Sequence, residues 1–382
     1  MVKPLNIVMF WFMRDWGQYG RAYEKIAAEL AARPEIGRVL CVMPPSVVQP
    51  NEYAWPLKLD RSSGKLWALS LSTRVTPTTG APYRLRKWAN ARLPSLTFST
   101  LLRMLGFKQS NTLLWLYPPH PYISQIQQQV PHFGQLIQIV DNNMHLGTAS
   151  EQYRQDARRQ YESLVSTADC VIVSSQANND FFSSMNGKTF VFENAVDEIF
   201  LRPSTELPSK SGAKRPRLGY VGWLSDRTDV VLLERLAEER PLYDIILAGP
   251  AEGADISRLV ELPNVTWLGK VPYEDVPDLL CTFDICLIPH LDTPYSRSMS
   301  PLKLFQYLGS GRPIVTTPVA GVDRWQEHIR IANNHETFIR MVDAALVEET
   351  PEKSEARIAA AKRETWPIRI DQMLQAVRSA FP

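Results

Sequence analysis

Acidic residues are missing where this chain is most basic. From Arg61 to Val140 there is no Asp or Glu, while Arg61, Lys65, Arg74, Arg84, Arg86, Lys87, Arg92, Arg103 and Lys108 all fall inside that run. The 382 residues together carry a formal charge of only +2, so the imbalance is local. A solvated basic surface would explain it, and so would a face for anionic lipid head groups or a phosphate-bearing acceptor. Trp67, Trp88, Leu101, Leu102 and Phe107 interleave with the cations as in interfacial segments, which favours the second reading. No base-reading motif accompanies the run, which argues against nucleic acid.

Cysteine is scarce too. Cys41, Cys170, Cys281 and Cys286 form no C-x-x-C pair, so neither a zinc site nor a disulfide framework is indicated, and a reducing compartment fits. Long apolar runs are absent. The first, Leu5 to Met13, is too short to span a bilayer and is followed at once by Arg14 and Asp15, so it reads as a buried strand rather than a signal peptide. There is no Asp-x-Asp and no His or carboxylate cluster with metal-ligand spacing. Asp226 and Asp229 stand at a helix start, where capping explains them. The chemistry is therefore expected to need no metal and no cofactor.

What is present is a regular alternation of strand and helix. Apolar strands are expected at 6–12, 39–43, 112–117, 135–140 and 169–174, with helices at 19–32 and 151–168. Residues 202–216 (RPSTELPSKSGAKRP) have almost no apolar content and read as a linker. The alternation then restarts, with strands at 218–221, 244–248, 265–268 and 285–289. Two α/β units of similar size imply parallel sheets, helices on their faces and a ligand cleft between them. The first strand runs into a loop holding Gly17, Gly20 and Arg21, a weak phosphate-loop signal. Residues 44–110 resist assignment, and part of them is expected to be a basic, aromatic helical insertion.

The stretch SMSPLKLFQYLGSGRPIVTT, Ser298 to Thr317, is the most informative. An apolar helical stripe ends at Gly309 and Gly311, and a β-branched strand follows. Ser300 before Pro301 reads as the helix cap. Free N–H groups at that helix start, with Lys303 in its first turn, would suit a diphosphate. An ordinary αβ unit with an exposed Lys fits the local pattern equally well. At the end of the 135–140 strand stands Asp141, which suits either catalysis or helix capping.

The strings LGYVGWLSDRTDVVLLERLAEERPLYDIILAGP, LPNVTWLGKVPYEDVPDLL, FDICLIPH and SPLKLFQYLGSGRPIVTTPVAG resemble GT-B glycosyltransferases. The likeness is nearest to bacterial teichuronic-acid-type enzymes and looser to the glucuronosyltransferase of xanthan assembly. Weaker marks in the first half are Val140-Asp141, YESLVSTADCVIVSS and ENAVDEIF. The resemblance implies an acceptor-binding Rossmann-like domain (1–202), the linker (203–216), a nucleotide-sugar domain (217–365) and a helix crossing back (366–382), where Trp366 and Arg369 lie.

It also implies a donor site. Gly222 and Trp223 would open it, and Val271, Pro272 and Tyr273 would hold the base. His290 would follow the pocket-floor strand. Ser300, Pro301, Leu302 and Lys303 would take the diphosphate, and residue 306 would meet the ribose. Relatives write Glu at that position, and many carry a second Glu where this chain has Ser298; here the first is Gln306. Asp141 would be the catalytic base or would orient the acceptor. His145 is the alternate, sharing a face with Asp141 if that loop winds into a helix.

The implied activity is metal-independent transfer of a sugar from a UDP- or GDP-linked donor to a polysaccharide or lipid-linked acceptor. It would take place in the cytoplasm at the inner membrane, with the basic 61–108 region as a peripheral membrane contact. A catalytically degenerate binding protein and a nucleotide-sugar epimerase remain the alternatives.

Overall fold

The computed structural model describes residues 4–48, 57–74, 95–201 and 215–381. Much of the cationic run, with Arg84, Arg86, Lys87, Arg92 and Trp88, lies outside them, as does most of the 203–216 linker.

The first unit is a mostly parallel sheet. Its strands β1 (Leu5–Phe10), β2 (Ile36–Val42), β3 (Ser46–Val48), β4 (Leu57–Arg61), β5 (Leu66–Arg74), β6 (Thr112–Leu116), β7 (Gly134–Ile139), β8 (Cys170–Val173) and β9 (Thr189–Val191) run in the order β3-β5-β2-β1-β6-β7-β8-β9. Only β4 departs, pairing antiparallel with β5. β1, β6, β7 and β8 are near-continuous apolar runs buried on both faces, as helix-covered parallel strands must be.

The expected helical insertion is different in the structure. Among the described residues, 57–74 are a hairpin that extends the sheet, and Ser95–Met104 form a helix. Of the interleaved apolar residues, the four that are described turn inward. Leu102 and Phe107 are buried, and Trp67 and Leu101 pack against the same core. Lys65 donates to Arg33 O (2.9 Å) and so is partly committed within the fold.

The second unit is fully parallel. β10 (Arg217–Val221), β11 (Asp244–Ala248), β12 (Val265–Trp267), β13 (Ile285–Ile288), β14 (Ile314–Thr316) and β15 (Arg330–Ile331) run in the order β12-β11-β10-β13-β14-β15. Asp229 caps the helix Val230–Glu239 through Leu232 N (2.9 Å). The helix Leu302–Ser310 stops at Gly311, whose φ of +71° is readily adopted only without a Cβ.

The C-terminal helix Trp366–Ala380 returns to the first unit, burying Trp366, Ile370 and Met373 in its core. Large side chains buried in this way contribute about 1.5–3 kcal/mol each. Among the described residues no helix is long and apolar enough to cross a membrane.

Candidate active site

Each sheet reverses its strand order near its middle, between β1 and β6 in the first unit and between β10 and β13 in the second. Crevices at such switch points are where open α/β sheets bind ligands. Here the two face each other across a cavity of about 270 Å³.

The second unit's wall starts from two glycines. Gly249 has φ +136°, and a Cβ there would lie 2.0 Å from Gly222 O. Bare backbone thus lets the ends of β10 and β11 come together. A Cβ on Gly222 would sit 2.9 Å from Lys303 Nζ. Lys303 comes from the first turn of the Leu302–Ser310 helix, donates to Tyr220 Oη (2.6 Å) and lies 3.2 Å from His290 Nε2.

Among the described residues no carboxylate is within ion-pair distance of Lys303. Burial, and then the nearby Arg227 guanidinium, hold its ammonium well below the usual lysine range. His290 is pushed well down by burial, Lys303 and Arg227, so its ring is neutral, and its buried Nδ1 has no partner. A cation that no protein anion neutralises, next to an unsatisfied imidazole, is arranged to meet an anion.

The first unit contributes Asp141 at the end of β7, with Val140 beside it on the cavity wall. Burial raises the Asp141 carboxyl, and Arg227 and Arg21 pull against that. Arg227 Nη1 lies 3.8 Å from Asp141 Oδ2, so this one side chain links the acidic and basic walls. Burial is the largest influence and opposes its charge, but Asp141 together with Tyr295, Tyr220 and Asp226 outweighs burial and raises it. Arg21 donates to Asp15 Oδ2 (2.6 Å) and lies over the rings of Tyr19 and Trp223. Asp15 in turn accepts from Trp11 Nε1 and Tyr23 Oη, both at 3.2 Å.

The residues singled out from sequence are mostly brought together. Asp141, Gly222, Trp223, Val271, Tyr273, His290, Ser300, Pro301, Leu302, Lys303 and Gln306 line the cavity; Pro272 does not. His145 is exposed at the end of a 3-10 turn, Asn143–His145, and also lies outside the lining. The cap assigned to Ser300 is corrected. Pro301 occupies the cap position without a side-chain bond, and Ser300 Oγ instead accepts from Asn194 N (3.0 Å).

Sequence reading passed over Arg227, left Arg21 as part of a weak loop signal, and gave Lys270 only as part of the Gly269–Tyr273 loop expected to hold the base. All three line the cavity. The available clue was position: Arg227 follows Gly222 within one loop, and Arg21 follows β1.

Gln306 is buried beside the Tyr273 hydroxyl. Tyr273 donates to Asp197 Oδ2 (3.1 Å), and Asp197 is paired with Lys25 of the first unit. A Cβ on Gly20 would fall inside the Tyr273 ring, so the two units touch closely here.

Residues 215–352 match the family described as glycosyl transferases group 1. That match covers much of the second unit, and the chain as a whole has a GT-B fold. TuaH of Bacillus subtilis (strain 168), named as a teichuronic acid biosynthesis glycosyltransferase, is 30% identical over 146 residues. That alignment spans 37% of this chain and 37% of TuaH, so the chain matches little more than a third of that relative's length.

Among solved structures, sucrose-phosphate synthase from Thermosynechococcus elongatus superposes with a TM-score of 0.72 at 17% identity, covering 99% of both chains. Anabaena Alr3699/HepE, in complex with UDP and glucose, gives 0.64 at 17% identity, covering 98% of this chain and 99% of its own. These two likenesses establish the GT-B architecture.

Proposed function

We propose that this GT-B protein transfers a sugar from a uridine-diphosphate donor to a polysaccharide or lipid-linked acceptor, without a metal ion. The observation that carries the reading is Lys303, lodged between Gly222 and His290 with no carboxylate partner among the described residues. With Arg227 and the first N–H groups of the Leu302–Ser310 helix it would receive the diphosphate. Relief of charge on the departing nucleotide is where electrostatic stabilisation acts most strongly in glycosyl transfer. The HepE complex with UDP supports uridine as the base, and Val271 and Tyr273 would hold it.

In the transfer, an acceptor hydroxyl oxygen bonds to the anomeric carbon while that carbon's bond to the β-phosphate oxygen breaks. UDP leaves with the bonding electrons. Asp141 takes the hydroxyl proton if configuration inverts; if it is retained, Asp141 orients the hydroxyl and the departing β-phosphate oxygen takes the proton.

Acceptor and location extend the same reading. Arg103 and Lys108 are exposed close in sequence to Met104, itself 79% exposed, and Arg61 is exposed as well, which supports a peripheral contact with anionic lipid at the inner membrane. TuaH's name supports a cell-envelope polysaccharide as the destination.

The test is a panel of UDP-, GDP- and dTDP-sugars, read as nucleotide release and by calorimetry with the free nucleotides. UDP should bind and UDP-sugars alone should turn over. Binding of GDP in preference to UDP would overturn the base assignment, and failure to bind any nucleotide would sink the donor site. Liposome sedimentation should grow with anionic lipid and weaken with salt; equal binding to neutral vesicles would remove the membrane contact.

A further inference from the structure

The segment 298–300 leads directly into the Lys303 turn, and it is hydrogen-bonded throughout to the other unit. Ser298 Oγ accepts from Asn142 N (3.1 Å) and donates to Tyr295 O (2.7 Å). Ser298 O accepts from Asn178 Nδ2 (2.7 Å), Ser175 Oγ (3.0 Å) and Ser174 Oγ (3.3 Å). Two residues on, Asn194 donates its side-chain amide to Ser300 O (2.6 Å). Ser298 is 2% exposed, and Asn142, Ser175 and Asn178 are as deeply buried.

Two features make this more than an interface contact. Asn142 is the residue after Asp141, so the Ser298 hydroxyl holds the main chain that carries the acceptor-side carboxylate. And every bond to the segment from the first unit ends on main chain or on a serine hydroxyl, so what is fixed is backbone position rather than charge. Ser298 stands at one end of a short rigid path, with Asp141 on one side and Lys303 five residues along on the other.

We propose that Ser298 is a positioning residue: it sets the separation between the acceptor-side carboxylate and the donor diphosphate turn. The inference rests on the donor reading above, yet it concerns alignment of the two substrates rather than the strength with which either is bound. A misplacement of about 1 Å in such a pair lowers rates by about a hundredfold. Losing the Ser298 hydroxyl leaves Lys303, Arg227 and the donor wall untouched. Transfer should therefore suffer while nucleotide affinity does not.

The experiment uses Ser298→Ala and, from the opposite side of the same contact, Asn178→Ala. Hydrogen–deuterium exchange should show amides at 140–145 and 298–300 losing protection together in both variants. UDP affinity by calorimetry should stay within about twofold. With the UDP-sugar the wild type turns over fastest, kcat for transfer to octyl β-glucoside should fall at least tenfold at constant donor KM. The share of donor lost to water should rise.

Unchanged exchange at 140–145 in both variants overturns the proposal, as does UDP affinity falling in parallel with kcat. If one variant fails to fold, the other and Ser298→Thr, which keeps the hydroxyl and should restore coupling, still decide it. A wild type that binds no UDP refutes the donor reading instead, and the exchange result still judges the contact.

Discussion

The two walls of the cleft, proposed above as a donor side and an acceptor side, are held in opposite ways. The donor wall is local: Gly222, Gly249, His290 and Lys303 sit at the ends of adjacent strands of one sheet or on a following helix, within about 80 residues of chain. The acceptor wall is assembled from a distance. Asp141 depends on Arg227 for a counter-charge and on Ser298 to hold its neighbour. A wall built locally can be broken without disturbing the other; a wall built across the cleft cannot be altered without touching both units.

The largest effect should come from Asp141→Asn. Turnover should fall about 10²–10⁴-fold, the range for a lost general base, while UDP affinity should not weaken, because losing the Asp141 charge leaves Arg227 freer to meet the diphosphate. Nucleotide release and calorimetry together check this. Wild-type turnover would sink the role of Asp141; weakened UDP binding would show that the walls are not separable.

Next is Gly249→Ala. Its Cβ would collide with Gly222 O at a φ of +136°, so backbone must move. A loss of about 2–4 kcal/mol in denaturant unfolding is expected from strain plus overlap, together with loss of UDP binding. A variant as stable as wild type would mean that the β10 and β11 ends need not approach this closely.

Lys303→Met tests the donor wall alone. A charge-assisted hydrogen bond is worth about 1.5–3 kcal/mol, so UDP affinity should fall roughly ten- to hundredfold. Thermal stability should not fall, since a poorly solvated cation without a carboxylate partner is removed. In the wild type, a bound diphosphate would raise a Lys303 pKa that burial has depressed. Affinity is then full below the free-state pKa and is lost as pH rises through the bound-state value. Calorimetry should show UDP binding weakening well below the pH at which an exposed lysine titrates; pH-independent affinity would remove Lys303 from the diphosphate site.

The same contrast explains what could be read from sequence. The buried strands were legible because parallel strands covered on both faces are unbroken apolar runs, as in LNIVMF and GQLIQI. The glycine-stopped helix that carries Lys303 was legible because glycine, proline and lysine lie within a dozen residues. The β4–β5 hairpin was not, because its cations and aromatics suggested a surface segment, whereas sheet extension turns Leu66, Ala68 and Leu69 inward. Nor was the fate of Ser300. A serine before a proline looks like a cap until Asn194, 106 residues away, takes its hydroxyl. Arg227 escaped for a similar reason, since its value lies in facing Asp141 across the cleft.

Gln306 tests the comparison most finely, because it belongs to the donor wall but is set by a chain of contacts reaching the acceptor unit. Likeness to other sequences would favour Glu there. The surroundings argue for the amide. Tyr273 gives its proton to Asp197, which Lys25 already pairs. The Tyr273 oxygen is left to accept, and Gln306 has an N–H to offer it, which leaves the amide carbonyl for a ribose hydroxyl. A carboxylate has no such N–H, would compete with Asp197 for the one phenolic proton, and would add negative charge beside it. Gln306→Glu should therefore weaken UDP binding, by up to about tenfold or 1.4 kcal/mol, rather than strengthen it. Burial and Asp197 would raise the new carboxyl's pKa, so lowering the pH should protonate it, restore a donor and recover affinity. Calorimetry at two pH values decides the matter, and tighter UDP binding by the Glu variant at neutral pH would show that Tyr273 does not orient the amide.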